Sequence, residues 1–182
     1  MEAAKGTGVP LDISASPGLF GGLLRGSAQP ELLQVSSTDY ENAYSAAHAG
    51  DLIQAHLLET LSAIGRDHID FYLLRSRRKL EDKVLNGALE SLELARQEGH
   101  IRFLGLYVEG QEADSLANWQ AHDAFEVICL EGDATELRSL ATSRRVGVLE
   151  RLAGFEFRPP SQVGIAPVTS AEEVRKIIGV LA

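Results

Sequence analysis

The sequence is a succession of short apolar runs alternating with segments whose apolar residues recur every three or four positions. Strand next to helix, repeated along the chain, restricts the fold to the α/β class more than any single residue does. The pattern is densest at residues 57–75, LLETLSAIGRDHIDFYLLR. Ile53, Leu57, Leu61 and Ile64 mark one face of a helix over 51–64, Gly65 stops it, and an apolar strand occupies 69–74. Other strands are expected over 32–36, 101–108, 125–130, 146–149 and 163–168. Between them, Leu80, Val84, Ala88, Leu92 and Ala95 set a helix over 81–98 that Gly99 closes, and 112–120 is a helix carrying Leu116 and Trp119. Asp133 with Glu136 reads as a capping box for a helix to about residue 143. Ser170 with Glu173 opens the last helix, whose stripe is Val174, Ile177, Ile178 and Leu181.

Strands apolar on both faces belong to a parallel sheet covered by helices. Right-handed crossovers then leave two architectures, a (β/α) barrel or an open doubly wound sheet, and periodicity does not choose between them. Residues 1–30 are rich in Gly, Ser, Ala and Pro, with extended pieces expected over 9–13 and around Leu19 and Phe20. Their glycines lack the spacing of a dinucleotide fingerprint.

With 182 residues, 45% of them hydrophobic, the chain can bury one sizeable core, so a single domain over 1–182 is expected, with 1–30 its least defined part. A net charge of -9 argues against binding nucleic acid by bulk charge. The one basic cluster, Arg75, Arg77, Arg78 and Lys79, runs into Glu81 and Asp82 and reads as a solvated helix start. The lone cysteine, Cys129, sits in an apolar run and reads as a small buried hydrophobe. No signal-peptide core or membrane-length run is present, so a cytoplasmic protein is expected. His48, His56, His68, His100 and His122 show no metal-ligand spacing, and no metal site is expected.

Motifs choose between the two architectures. Residues 57–75 resemble the segment of aldo-keto reductases in which a helix leads through "LG-x-D-x-ID-x-Y" into the fourth barrel strand; Asp67, Ile69, Asp70, Tyr72, Leu73 and Leu74 match. The run ALESLELARQEGHIRFLGL is similar to that family's next helix and fifth strand, with Gly99, Ile101, Arg102 and Gly105 matching. VGIAPVTSAEEVRKII resembles the eighth strand and its helix, and GTGVPLDISASPGLFGG the opening hairpin and first strand. The resemblance implies an incomplete TIM barrel of aldo-keto reductase type. About a dozen residues lie between Phe20 and Leu32, so the second βα unit is expected to be missing.

The same resemblance implies NADP(H) as cofactor and an Asp–Tyr–Lys–His tetrad, and here the chain departs from it. The Asp and Tyr would go with the second unit, Ser36, Ser37 and Thr38 end the third strand without a Lys, and Arg75 stands where the His is expected. Leu106, Tyr107 and Val108 replace a Ser-Asn pair that contacts the nicotinamide. Thr169, Ser170 and Arg175 are the remaining candidates for an adenosine phosphate at a helix N-terminus. Barrel chemistry sits at the carboxyl ends of strands, which carry Asp39, Tyr40, Arg75, Tyr107, Glu131, Glu150, Arg151, Thr169 and Ser170. Tyr40 or Tyr107 is then the candidate proton donor and Arg75 the candidate oxyanion stabiliser. The opposing expectation is that Arg75 pairs with Glu131 or Glu150 and closes the mouth.

Three functions follow. The first is a pseudoenzyme of aldo-keto reductase type, a binding or regulatory subunit. The second is an NADP(H)-dependent carbonyl reductase working with substitute residues. The third is a cofactor-free lyase or cyclase. A missing unit leaves strand edges unpaired, so a homo-oligomer, most simply a dimer covering the gap, is expected.

Overall fold

The computed structural model describes residues 10–23, 30–151 and 163–165. Seven strands form one sheet in sequence order: β1 (Leu11–Asp12), β2 (Leu32–Val35), β3 (Ile69–Ser76), β4 (Ile101–Val108), β5 (Val127–Leu130), β6 (Gly147–Arg151) and β7 (Val163–Ile165). Every neighbouring pair is parallel. Helices α1 (Pro17–Leu23), α2 (Ala46–Ile64), α3 (Asp82–Gln97), α4 (Glu112–Ala121) and α5 (Thr135–Arg144) make the crossovers from β1 through β6. A 3-10 turn, Tyr40–Asn42, precedes α2. The result is an incomplete β/α barrel.

The sheet curls. Leu33, Val35, Leu73, Val127, Cys129 and Leu149, from β2 through β6, share one inner cluster with Tyr107. Asp12 on β1 acts electrostatically on Cys129 of β5. In a flat sheet those strands would lie about 19 Å apart, four spacings of about 4.8 Å. The inner face is layered by register: Phe71 pairs with Phe103 and Leu73 with Gly105, which pairs in turn with Val127. Phe71 and Phe103 stack with centroids 5.2 Å apart. Gly105 is required by this packing, because a Cβ there would lie 2.2 Å from Leu73 Cδ2 and 2.4 Å from Val127 Cγ1. The larger core lies outside the sheet, where Ile53, Leu57, Ile64, Val84, Leu92 and Trp119 of the helices pack on Tyr72, Leu74, Leu104 and Ile128. Each such Leu, Ile or Val contributes about 1.5–3 kcal/mol of transfer free energy, an upper bound given the compactness of unfolded chains.

Three local expectations change. Leu19 and Phe20 are helical, in α1, and the strand before them is Leu11–Asp12. Phe20 is buried in the outer core, which favours a helix turning its ring inward over a strand interrupted by Gly. A strand–helix pair therefore stands directly before β2, in abbreviated form, while the barrel remains one strand short of eight among the described residues. Helix α2 begins at Ala46 rather than 51, because Ser45 caps it by accepting from the His48 N–H at 3.1 Å and the following alanines favour helix. Its end is as expected: Gly65 is left-handed, with φ 66°, and its N–H returns to the Leu61 carbonyl. Asp133 does not cap α5, whose first residue follows Ala134; Glu112 of α4 accepts the Leu137 N–H instead, at 2.8 Å. The last helix expected from Ser170 and Glu173 lies outside the described residues.

Among the described residues no helix is long and apolar enough to cross a membrane.

Candidate functional site

The alternation that buries Leu73, Val127 and Leu149 on the inner face puts the next inward residues at the carboxyl edge. Arg75 is level with Tyr107, and Tyr107 with Cys129. Glu131 follows β5, and Arg151 ends β6. Three of these side chains close on one another. The Tyr107 hydroxyl donates to Glu131 Oε1 at 2.7 Å. Arg151 Nη1 reaches the same Oε1 at 2.5 Å and also donates to the Tyr107 hydroxyl. The Arg151 guanidinium sits 5.7 Å from the Tyr107 ring centroid, within cation–π range.

This arrangement sets protonation. Burial and the hydrogen bond to Glu131 raise the Tyr107 phenol far above its ordinary value, although the Arg151 charge opposes the shift. The Tyr107 hydroxyl and Arg151 hold the Glu131 carboxyl below its ordinary value. Burial and the negative charge of Asp12 push the Cys129 thiol up to about 12, so it stays protonated as a core residue. The expectation of a small buried hydrophobe there holds.

Tyr40 and Arg75 do not join this group. Tyr40 lies in the 3-10 turn, fully buried on the outer side of the sheet, and its hydroxyl donates to the Arg75 carbonyl at 2.5 Å. Burial raises its phenol far above the usual range. The Arg75 backbone is held on both sides, since its N–H also donates to Ser36 Oγ at 3.0 Å. Its guanidinium faces Glu109 at 3.7 Å. The expected pairing with Glu131 or Glu150 is thus replaced. Glu131 is taken by Arg151, and Glu150 accepts from Arg138 at 2.7 Å because α5 stands beside β6. Arg75 Nε is enclosed with no hydrogen-bond partner among the described residues. Thr169, Ser170 and Arg175 lie outside those residues.

Two groups escaped notice in the sequence. Asp12 ends β1, in register with inward-facing Leu33. Its Oδ1 accepts from the Ser14 N–H at 2.9 Å and from Ser14 Oγ at 2.5 Å, and Ser14 Oγ accepts the Val35 N–H. Helix α1, PGLFGGL, which follows β1, supplies no phenol. The signal lay in the words "LDIS", hidden by the expectation of a strand at Leu19 and Phe20. The second group is Ser37, His56 and Tyr72, which come from three elements and share no spacing. Ser37 Oγ lies 2.8 Å from His56 Nε2, and His56 Nδ1 lies 2.6 Å from the Tyr72 hydroxyl. No group of His, Cys, Asp and Glu among the described residues could hold a metal ion.

No family model matches the sequence, and no curated protein matches it. Solved structures do. An aldo-keto reductase from Bacillus halodurans in its holo form superposes with a TM-score of 0.65 at 17% identity, over 94% of this chain and 75% of that one. Its apo form gives 0.63 at the same identity. An aldo-keto reductase from Bombyx mori, in complex with NADP, gives 0.59 at 16% identity, over 98% of this chain and 62% of that one. Parallel strands in sequence order, an inward carboxyl-edge ring and these superpositions agree: the chain resembles an aldo-keto reductase with a shortened barrel.

Proposed function

We propose that this chain is a pseudoenzyme of the aldo-keto reductase fold, without reductase chemistry at its barrel mouth, acting as a binding or regulatory subunit. The observation that carries this is the closed arrangement of Tyr107, Glu131 and Arg151 at the mouth. A reductase of this type needs a proton donor with a free face toward the substrate carbonyl. Tyr107 and Tyr40 both have their hydroxyl protons committed, and both phenols are raised rather than lowered. The inward Asp12 carboxylate is taken up by Ser14. Arg75, at the expected histidine, is a permanent cation and transfers no proton.

The described residues do not fit a nicotinamide. Where the resemblance calls for Ser-Asn, the chain has Tyr107, whose hydroxyl is engaged, and Val108, which is apolar and buried. An NADPH titration followed by cofactor fluorescence and thermal shift tests this. The expected outcome is no binding at millimolar cofactor. Micromolar binding would overturn the proposal and favour the alternative, an NADP(H)-dependent carbonyl reductase with Arg75, Tyr107 and Tyr40 as substitutes. That alternative is supported by the NADP held in the Bombyx mori structure.

A homodimer belongs to the same proposal. Strand β1 is two residues long and stands at the end of the strand order, a short edge that a second copy can cover. Light scattering is expected to give twice the monomer mass, and a monomer at working concentration would refute it.

A further inference from the structure

Ser37 lies just past the carboxyl end of β2, exposed to solvent. His56 reaches it from α2, half-buried, with its ring 2.8 Å from Ser37 Oγ. The other ring nitrogen meets the buried Tyr72 hydroxyl at 2.6 Å, and the two rings make an edge contact with centroids 5.8 Å apart. A hydroxyl on a base, and the base on a third group that orients it, is the geometry of an activated nucleophile. Beside it stands Arg75, on the strand paired with β2 and tied to it through Ser36 Oγ. The Arg75 guanidinium has only a 3.7 Å ion pair with Glu109, and its Nε is enclosed without a partner among the described residues. Burial, with a smaller contribution from the Arg75 charge, lowers the His56 pKa, so the ring is neutral and able to accept a proton near pH 7.

We propose that Ser37 and His56 form a nucleophilic dyad that takes an acyl group from a carboxylic ester, with Tyr72 orienting His56. The reactive tautomer carries its proton on Nδ1, donated to the Tyr72 oxygen, and leaves Nε2 free to accept from Ser37. Ser37 Oγ bonds to the ester carbonyl carbon while its proton passes to His56 Nε2. The tetrahedral adduct then breaks its bond to the alcohol oxygen, and the alcohol leaves with that proton. Water, deprotonated by the same nitrogen, attacks acyl-Ser37, releases the carboxylic acid and restores the Ser37 hydroxyl. Every atom and proton is accounted for, with no redox step. The dyad shares no hydrogen bond with Tyr107, Glu131 or Arg151 among the described residues, and its chemistry does not use them.

The test uses the full chain with p-nitrophenyl acetate and a fluorophosphonate probe, with mass spectrometry of the labelled peptide. The expected result is one label per chain, on Ser37. Ser37→Ala abolishes it, and His56→Ala slows it by about a hundredfold, the size of a general-base contribution, with partial rescue by added imidazole. Ser143→Ala is the control: that exposed hydroxyl donates to the Leu140 carbonyl. Tyr72→Phe shifts the acid limb of the labelling pH profile, which a packing role alone would leave in place. The charges that His56 senses are Glu59 on its own helix and Arg75 on β3, so Glu59→Gln is run alongside. Circular dichroism confirms that each variant is folded. No label on the folded wild-type chain, a label on another residue, or wild-type labelling of Ser37→Ala would overturn the proposal. The first outcome would mean that Tyr72 donates to Nδ1 and His56 donates to Ser37.

Discussion

Gly105→Ala is the sharpest test of the inner packing. The added methyl would stand 2.2 Å from Leu73 Cδ2, 2.4 Å from Val127 Cγ1 and 2.8 Å from the Val127 carbonyl oxygen. Leu73 is 0% exposed and Val127 5%, so neither side chain has open space to retreat into. Overpacking a well-filled core costs about 1–3 kcal/mol, and three simultaneous contacts, one of them backbone, place this site at the top of that range. Exchanging Gly for Ala in a strand returns about 0.5–1 kcal/mol. The net destabilisation is about 2 kcal/mol, which for a chain of this size lowers Tm by about 4–8 °C. The measurement is thermal and urea denaturation of the wild type, Gly105→Ala, Val127→Ala and the double variant. Because Val127→Ala removes the 2.4 Å contact, the double variant is expected to lose less than the sum of the singles, by about 0.5–1 kcal/mol. Gly18→Ala is the control, with nothing within 4 Å of its added methyl, and it is expected to be neutral or slightly stabilising. An unchanged Tm for Gly105→Ala, or strict additivity with Val127→Ala, would refute this account of the barrel interior.

Asn118→Ala removes a buried amide that donates to Ser76 Oγ and the Arg78 carbonyl and accepts the Leu80 N–H. Leaving those groups unsatisfied is expected to cost about 2–3 kcal/mol, read as a lower urea midpoint. Tyr107→Phe takes away the leading cause of the low Glu131 pKa, so a carbon-detected NMR titration should show that carboxyl moving up. Because the folded Glu131 pKa is depressed, its stabilising contribution is present above the ordinary carboxylate range and lost as pH falls through the folded value; an unmoved titration would mean that Arg151 alone sets it. His56 has the opposite character: its folded pKa is lowered, chiefly by burial, so the unfolded chain takes up its proton first. Stability is therefore expected to decline as pH drops below the ordinary histidine value, toward the lowered folded one, and His56→Gln should flatten that decline in pH-dependent unfolding.

The helices and strands of the middle were legible because their signals are local. Gly65 and Gly99 take the left-handed backbone at the two helix ends where they were expected, with φ 66° and 82°. Ile53, Leu57, Leu61 and Ile64 are buried along one face of α2. Where local signals compete, the sequence misled. Ser45 and Asp51 can each open α2, and the Ser45 cap on the His48 N–H marks the earlier start. Asp133 and Glu136 spell a capping box, but Glu112 of the neighbouring helix supplies the acceptor.

Arg75, Tyr107 and Tyr40 show the same division at the site. The places of Arg75 and Tyr107 near strand ends follow from period and spacing, and β3 and β4 set the two side by side. Tyr40 faces the opposite side of the sheet, because the turn after β2 rotates it there. Partner choice is a matter of distance in space: Glu131 goes to Arg151, Glu150 to Arg138 and Arg75 to Glu109. The sequence by itself determined an α/β alternation and an apolar parallel sheet, since both are written in residue type and short-range spacing. Tertiary structure alone decided that β1 brings Asp12 to the inner face, that the mouth closes on Tyr107, and that Ser37, His56 and Tyr72 meet. Those contacts join residues 16 to 44 positions apart, or strands that only the curl of the sheet brings together, and no local pattern encodes them.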